Sequence, residues 1–296
     1  MSTYNGGDYI YDQIVSILLQ RGVNLFLLIR DDGSNDNTIE IIKGIQLDGW
    51  IDRIELIEGK NVGCSSSFLE LVRIAKVKYA NYQYFAYSDQ DDFWLPNKLI
   101  VAVKSLDQIV NQNKLYYSSY LKASKDLQKI EKITLHRKNT LIESFVSLNT
   151  LGCSMVFSQN VLFSVSRVNF ELVNSPLNHD GITYFCALLT QAHLINDPNG
   201  YILYRQHDGN VVGLGADSFF SRVKRLFKYP SHKVLMAVQI YSDLELSNHY
   251  SKILNLSCKY KNSIKNKYHL VIEVLVSNMS IRRKIMAIVL IIFNLF

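Results

Sequence analysis

The sequence predicts an α/β fold on a mostly parallel sheet flanked by helices, and three observations lead there. Short continuous apolar runs at residues 25–29, 54–57 and 84–87 alternate with amphipathic helical stretches between residue 9 and about residue 110. That is the pattern of β-loop-α units whose strands are buried on both faces. Loops rich in Asp, Asn and Gly follow each apolar run, at the strand ends where ligands of such sheets bind. An apolar content of 48% and a charged content of 20% over 296 residues supply a full core.

Each element has its own signal. Ser2-Thr3-Tyr4-Asn5-Gly6 is loop chemistry, since Asn and Gly tolerate positive φ. Ile10, Ile14, Ile17 and Leu18 recur at helical spacing, which predicts a helix over 9–21 that Gly22 ends. The run at 25–29 leads into Arg30-Asp31-Asp32-Gly33-Ser34 and a helix over 38–45; the run at 54–57 leads through Asn61-Val62-Gly63 into a helix from Ser65 or Ser66 to Lys76. Further on, strands are expected over 115–121 and 151–157, a helix over 181–189 headed by Asn178-His179-Asp180, and two short strands at Ile195 and 202–204. The loop 205–213 closes this region. Residues 1–215 thus form one domain, and 216–296 a basic, helical C-terminal region.

From Asp217 on, thirteen Lys and Arg stand against four acidic residues, a balance of +9 that leaves −3 for the first 216 residues. The two parts are therefore expected to meet different partners. The stretch Arg282-Arg283-Lys284 followed by the apolar run 285–293 is too short to span a bilayer. It suits a membrane interface or a terminal helix on the core. Cys64, Cys153, Cys186 and Cys258 form no Cys-x-x-Cys pair and read as free thiols of a reducing compartment. No charged-then-apolar leader opens the chain, so a cytoplasmic location at the inner face of the cell membrane is expected.

Asp89-Gln90-Asp91-Asp92 carries the chemistry. Three carboxylates within four residues, delivered by the end of a buried strand, are poor core material. They suit a hard divalent cation, although an isolated Asp-x-Asp is also a common solvated turn.

Ser2-Thr3-Tyr4-Asn5-Gly6, Arg30-Asp31-Asp32-Gly33-Ser34-x-Asp36-x-Thr38, Asn61-Val62-Gly63 and Ser88-Asp89-Gln90-Asp91-Asp92-x-Trp94 together resemble a family 2 glycosyltransferase of the GT-A (Rossmann-like) fold. Asn178-His179-Asp180 and Tyr204-Arg205-Gln206-His207 resemble its rhamnosyltransferase-like subgroup of capsule and cell-wall polysaccharide synthesis. The resemblance implies inverting transfer of a sugar from a nucleotide diphosphate donor, dTDP-rhamnose or a UDP-hexose, to a glycan or lipid-linked acceptor. It implies Mg²⁺ or Mn²⁺ at Asp89 and Asp91, with His207 completing the shell or touching phosphate. Asp89 is open between metal and ribose, and Asp92 between the sugar and the loop. Asp31 and Asp32 are expected at the base and ribose, beside Thr3, Tyr4, Asn5, Gly33, Asn61 and Gly63. Arg205 is expected on the diphosphate, Asp180 as the general base, and His179 orienting it or touching the acceptor; N-capping is the other reading of Asp180.

The family carries an apolar strand just before the Thr-Tyr-Asn loop, where this sequence starts. A truncated first strand would expose the edges of its neighbours, and a form extended upstream is expected to be more stable or more active. Two other classes are weighed: a non-catalytic nucleotide-sugar-binding or assembly subunit, and a basic nucleic-acid-binding protein. The latter is disfavoured because no recognition motif accompanies the basic residues and the acidic crevice repels phosphate.

Overall fold

The computed structural model describes residues 1–135, 140–146, 151–169, 178–207, 230–277 and 279–292. The expected loop beyond His207, Asp208 to Gly213, and the basic residues Arg222, Lys224, Arg225 and Lys228 lie outside them. The chain forms two compact units interleaved in sequence. The first takes Met1–His136, Leu151–Ser166 and Ala192–Gly213, and the second takes Arg137–Thr150, Arg167–Gln191 and Leu214–Phe296.

In the first unit, β1 (Ser2–Thr3), β2 (Leu27–Asp31) and β3 (Ile54–Glu58) form a parallel three-stranded sheet in that order. Thr3 lies opposite Asp31, and Asp31 opposite Glu58. Parallel pairing puts the three carboxyl ends, and the loops that follow them, on one edge. The crossovers are α1 (Ile10–Leu18), α2 (Thr38–Ile45) and α3 (Cys64–Lys78). Ile10, Ile14 and Ile17 on α1 and Ile42 and Ile45 on α2 are buried in one core with Leu27, Ile29 and Ile54, as their periodicity requires.

Beyond β3 the expected parallel order gives way to a mixed sheet, β4-β8-β6-β9-β5, with β7 added on β6. Its strands are β4 (Tyr84–Ala86), β5 (Phe93–Trp94), β6 (Lys114–Ala123), β7 (Ile130–Ile133), β8 (Val156–Ser158) and β9 (His193–Arg205), with α4 (Lys98–Asp107) and α6 (Gln159–Arg167) between them. All its pairings are antiparallel except β6 with β9. Two strand expectations are corrected. Residues 152–154 form a tight turn, closed by the Ser154 amide and hydroxyl on Leu151 O, and only 156–158 are strand. The two short strands at Ile195 and 202–204 are one strand, β9. Asp197-Pro198-Asn199-Gly200 reads as a turn, but register shifts at Ser118 and Ser119 absorb it. A Cβ on Gly200 would lie 3.0 Å from the Tyr120 carbonyl carbon, a tight fit against the neighbouring strand.

β1 covers β2 only at Arg30 and Asp31. Alongside the rest of β2 runs an apolar cavity of about 580 Å³, lined by Leu27, Leu28, Phe68, Tyr84, Phe85 and Phe157 among others.

The second unit is helical: α5 (Leu141–Val146), α7 (His179–Leu189), α8 (Pro230–Asp243), α9 (Tyr250–Lys259), α10 (Ile264–Val276) and α11 (Ile281–Ile292). α7 packs on α8, and α10 packs on both α9 and α11. Arg283 of α11 is hydrogen-bonded to the buried Glu143 of α5. Among the described residues no helix is long and apolar enough to cross a membrane.

Two glycines test the loop-to-helix geometry. Gly33 has φ +83°, and a Cβ there would meet Asn61 N at 3.3 Å, whereas a Cβ on Gly44 in α2 meets nothing within 4 Å. Gly33→Ala is predicted to destabilise the protein by more than about 1 kcal/mol. Gly44→Ala is predicted to stabilise it by about 0.5–1 kcal/mol. Urea unfolding of both variants checks the opposite signs.

Candidate active site

The acidic loop, residues 88–92, joins β4 to β5, and it and the segment after it rest on polar side chains of α1 and of Gln20 just past its end. Gln13 Nε2 donates to Ser88 Oγ (2.7 Å), and Ser16 Oγ accepts from the Trp94 amide (3.0 Å). Gln20 Nε2 donates to Leu95 O (2.8 Å), while Gln20 Oε1 accepts from the Leu99 amide (3.0 Å). All three side chains are buried. Sequence reading missed them, because Gln13 and Ser16 share the buried side of the helix with Ile10, Ile14 and Ile17, and Gln20 is buried just past its end. Their i, i+3, i+7 spacing was the available signal.

Gln90 was also missed. Its Oε1 accepts from Thr3 Oγ1 (2.8 Å) and the Tyr4 amide (2.7 Å), and its Nε2 donates to Tyr4 O (3.0 Å). The acidic loop and the β1 loop are thereby one piece. Asn5, at φ 49°, links the β1 loop to the β2 loop. Its amide donates to Ser34 Oγ and its Oδ1 accepts from the Asn35 amide, both at 2.9 Å.

Asp31 and Asp32 are both buried and turned into the protein. Asp31 Oδ1 accepts from the amides of Gly33 (3.0 Å) and Ser34 (2.8 Å), and Oδ2 accepts from Ser34 Oγ (2.6 Å). Asp32 accepts from the amides of Val62 (2.9 Å) and Gly63 (2.8 Å) and pairs with Arg30 at 2.5 Å. Arg30, buried itself, also reaches Glu70, Ser67 and Lys60 O. The two carboxylates thus shape the Gly33-Ser34 and Asn61-Val62-Gly63 loops. Asn61 is exposed on the latter, and Gly63 turns it at φ +85°.

Asp91 and His207, 116 residues apart in sequence, meet with His207 Nε2 2.9 Å from Asp91 Oδ2. The His207 ring stacks on Tyr9 at 4.5 Å. Arg205 is buried beside them. It donates to Asp91 O (3.0 Å) and Lys125 O (2.7 Å), pairs with Asp12 at 3.3 Å and lies over the Tyr9 ring. Its guanidinium is therefore engaged in fastening β9 to the acidic loop, where the sequence had it on a diphosphate.

Asp92 is fully buried, with the Cys153 thiol and the Arg205 backbone against its carboxylate. Ligating atoms of Asp92, Asp89 and Cys153 lie within 4.8 Å of one another. Burial, then the charges of Asp89 and Asp91, raise the Asp92 carboxyl well above its ordinary range. Lys98 is buried nearby with its ammonium 3.5 Å from the Trp94 ring centroid. Burial pushes it down to about 7 against the opposing pull of Cys153 and Asp92.

Asp180 and His179 belong to the second unit. Asn178 is the N-cap residue of α7, which puts Asp180 at the second helical position, where its Oδ1 accepts from the Gly181 amide at 2.7 Å. That bond satisfies one of the free first-turn amides of α7. His179 is buried, and burial pushes its imidazole from 6.5 down to about 3.

A parallel strand edge with tied loops and gathered carboxylates places the chain among the α/β enzymes. It belongs to glycosyl transferase family 2, whose profile matches residues 1–162, and it is a glycosyltransferase. It is 30% identical over 231 residues to the dTDP-rhamnosyl transferase RfbG of Shigella flexneri, a match covering 76% of this chain and 78% of that protein. In fold it is similar to residues 1–349 of S. aureus TarS in complex with UDP-GlcNAc, with 14% identity, a TM-score of 0.54, and 92% and 78% of the two chains covered. It is likewise similar to the mannosyltransferase PcManGT from Pyrobaculum calidifontis in complex with GDP-Man and Mn²⁺, with 14% identity, a TM-score of 0.52, and 99% and 86% covered.

Two outcomes test this architecture. Gln20→Ala strands Leu95 O and the Leu99 amide in the core, and is predicted to cost about 1–3 kcal/mol by urea unfolding. His179, held neutral when folded, contributes full stability above pH 6.5. That stability is lost as pH falls from 6.5 toward 3, because only the unfolded chain takes up the proton. Between pH 7.5 and 5, His179→Leu is predicted to lose less stability than the parent by roughly 2 kcal/mol, read from paired denaturation curves.

Proposed function

We propose that this glycosyltransferase moves a sugar from a nucleoside diphosphate donor to an acceptor hydroxyl with inversion, using Mg²⁺ or Mn²⁺, in capsular or cell-wall polysaccharide synthesis. The observation that carries the reading is the Asp91–His207 pair, 2.9 Å apart across 116 residues of sequence. Neighbouring ligands on a six-coordinate ion with bonds of about 2.1 Å stand roughly 3 Å apart, so the pair fits one coordination shell. Asp89 is the third protein donor. Oxygen and imidazole donors suit Mg²⁺ and Mn²⁺, and the Mn²⁺ in the structure of the mannosyltransferase supports this choice. When bound, such an ion supplies a Lewis acid for the charge that collects on the departing diphosphate.

The chain's own residues divide the remaining work. Thr3, Tyr4, Asn5, Gly33, Asn61 and Gly63 form the nucleotide pocket through the loops that Asp31, Asp32 and Gln90 hold in place. Arg205 keeps His207 against Asp91, and Asp92 anchors the acidic loop from below. Asp180 is the general base: an ionised carboxylate in the first turn of α7, stabilised by the helix dipole, takes the proton of the acceptor hydroxyl. His179 fixes its backbone. The donor is dTDP-rhamnose, a choice supported by the likeness to RfbG; a UDP-hexose is the competing donor. The acceptor is a glycan or lipid-linked sugar at the inner face of the cell membrane, with peripheral contact through the basic helical region 216–296.

A panel of nucleotide sugars, assayed with and without Mn²⁺, tests the proposal. Turnover of dTDP-rhamnose is expected to need the ion and to fall about 100-fold or more in Asp91→Ala, His207→Ala and Asp180→Asn. Only Asp180→Asn is expected to keep metal-dependent donor binding. Full turnover in a chelator, or in Asp91→Ala, would sink the metal assignment.

A further inference from the structure

α10 and α11 are each apolar on two sides. Inward, Leu270 and Val274 of α10 and Ala287, Leu290 and Ile291 of α11 are buried. Outward, Ile264, Tyr268, Ile272 and Leu275 form a solvent-facing stripe at i, i+4, i+8 and i+11, with Ile264 87% and Tyr268 64% exposed. Ile281, Ile285 and Ile292 repeat the pattern on α11, with Ile281 76% exposed. A packed helix needs one apolar side, and the second needs a different environment.

The charge around the stripes says which one. Between Tyr250 and Ile292, eight Lys and Arg face a single acidic residue, Glu273. Lys265 and Arg282 are exposed beside the stripes. Lys284 Nζ donates to Leu275 O (2.6 Å) and Lys267 Nζ to Ile292 O (3.4 Å). Each helix thus lends a cation to the end of the other, which runs the pair antiparallel and sets ammonium groups at both ends of the stripes. Apolar side chains at helical spacing within a basic rim match an anionic bilayer surface, with headgroups on the cations and acyl chains on the stripe. Neither helix is long enough to cross.

We propose that the outward stripes of α10 and α11 are the surface by which this glycosyltransferase docks on anionic lipid, the two helices lying in the interface plane. This rests on the reading that the 216–296 region touches membrane, and it assigns that contact to particular side chains. Co-sedimentation of the full chain with vesicles of phosphatidylcholine, with and without phosphatidylglycerol, tests it. The parent is expected to bind the anionic vesicles, weakly the neutral ones, and to release them as salt is raised. Ile264→Ser/Tyr268→Ser/Ile281→Ser/Ile285→Ser and, separately, Lys265→Glu/Arg282→Glu are expected to weaken binding about tenfold or more. All six positions are exposed, so an unchanged melting temperature shows that the fold is kept. If the parent binds and both variants bind equally well, the contact lies elsewhere: this inference fails while membrane contact stands. If the parent binds neither vesicle, both fail. A parent dimer that the four-serine variant dissociates makes the stripe a self-association surface and overturns the proposal.

Discussion

Backbone amides at the ends of strands have no ladder to join and need acceptors from elsewhere. In this protein the acceptors are side chains of neighbouring loops. Asp32 serves Val62 and Gly63, Asn5 serves Asn35, and Gln90 serves Tyr4. Each such bond spans about 30 residues of sequence or more, and so ties one loop to another. Arg30 neutralises Asp32 within this arrangement, which removes the cost of a lone buried charge. The loops at this edge are therefore each other's hydrogen-bond partners.

Beneath the acidic loop the logic is electrostatic. Three neighbouring carboxylates repel one another, and the fold gives them different degrees of burial. Asp92 goes inward, where burial favours its neutral form, next to Cys153 and Lys98. Asp91 faces His207, and Asp89 stays half-buried. One Asp-rich loop thereby holds groups of different character.

Much of this was legible beforehand. The helix over 38–45 and the strand that opens at Ile54 follow from apolar spacing, and strand-end loops put the carboxylates of β2 and β4 within reach of one edge. What escaped was of two kinds. Gln13 and Ser16 lie on the buried side of α1 and Gln20 is buried just past its end, where periodicity marks a side as buried without saying that polar atoms there are satisfied. β9 looked interrupted because Asp197-Pro198-Asn199-Gly200 is turn-like locally, and only the bulged register of β6 shows that it stays in the sheet. The division of labour inside Asp89-Gln90-Asp91-Asp92 was unreadable for the same reason. Which carboxylate turns inward depends on β9 and α4, far away in sequence.

The link between Asp91 and His207 also orders events in time. A chain emerging from a ribosome presents Asp91 long before His207, which follows 116 residues later. In that interval β5 waits for β9, its ladder partner. The nascent first unit holds a sheet with an unfilled edge and an acidic cluster without its imidazole. Such late, long-range pairings are slow to form and leave strand edges open to other chains. Because β9 closes both the sheet and the Asp91–His207 pair, completion of the first unit and of this pair fall in a single late step of its synthesis.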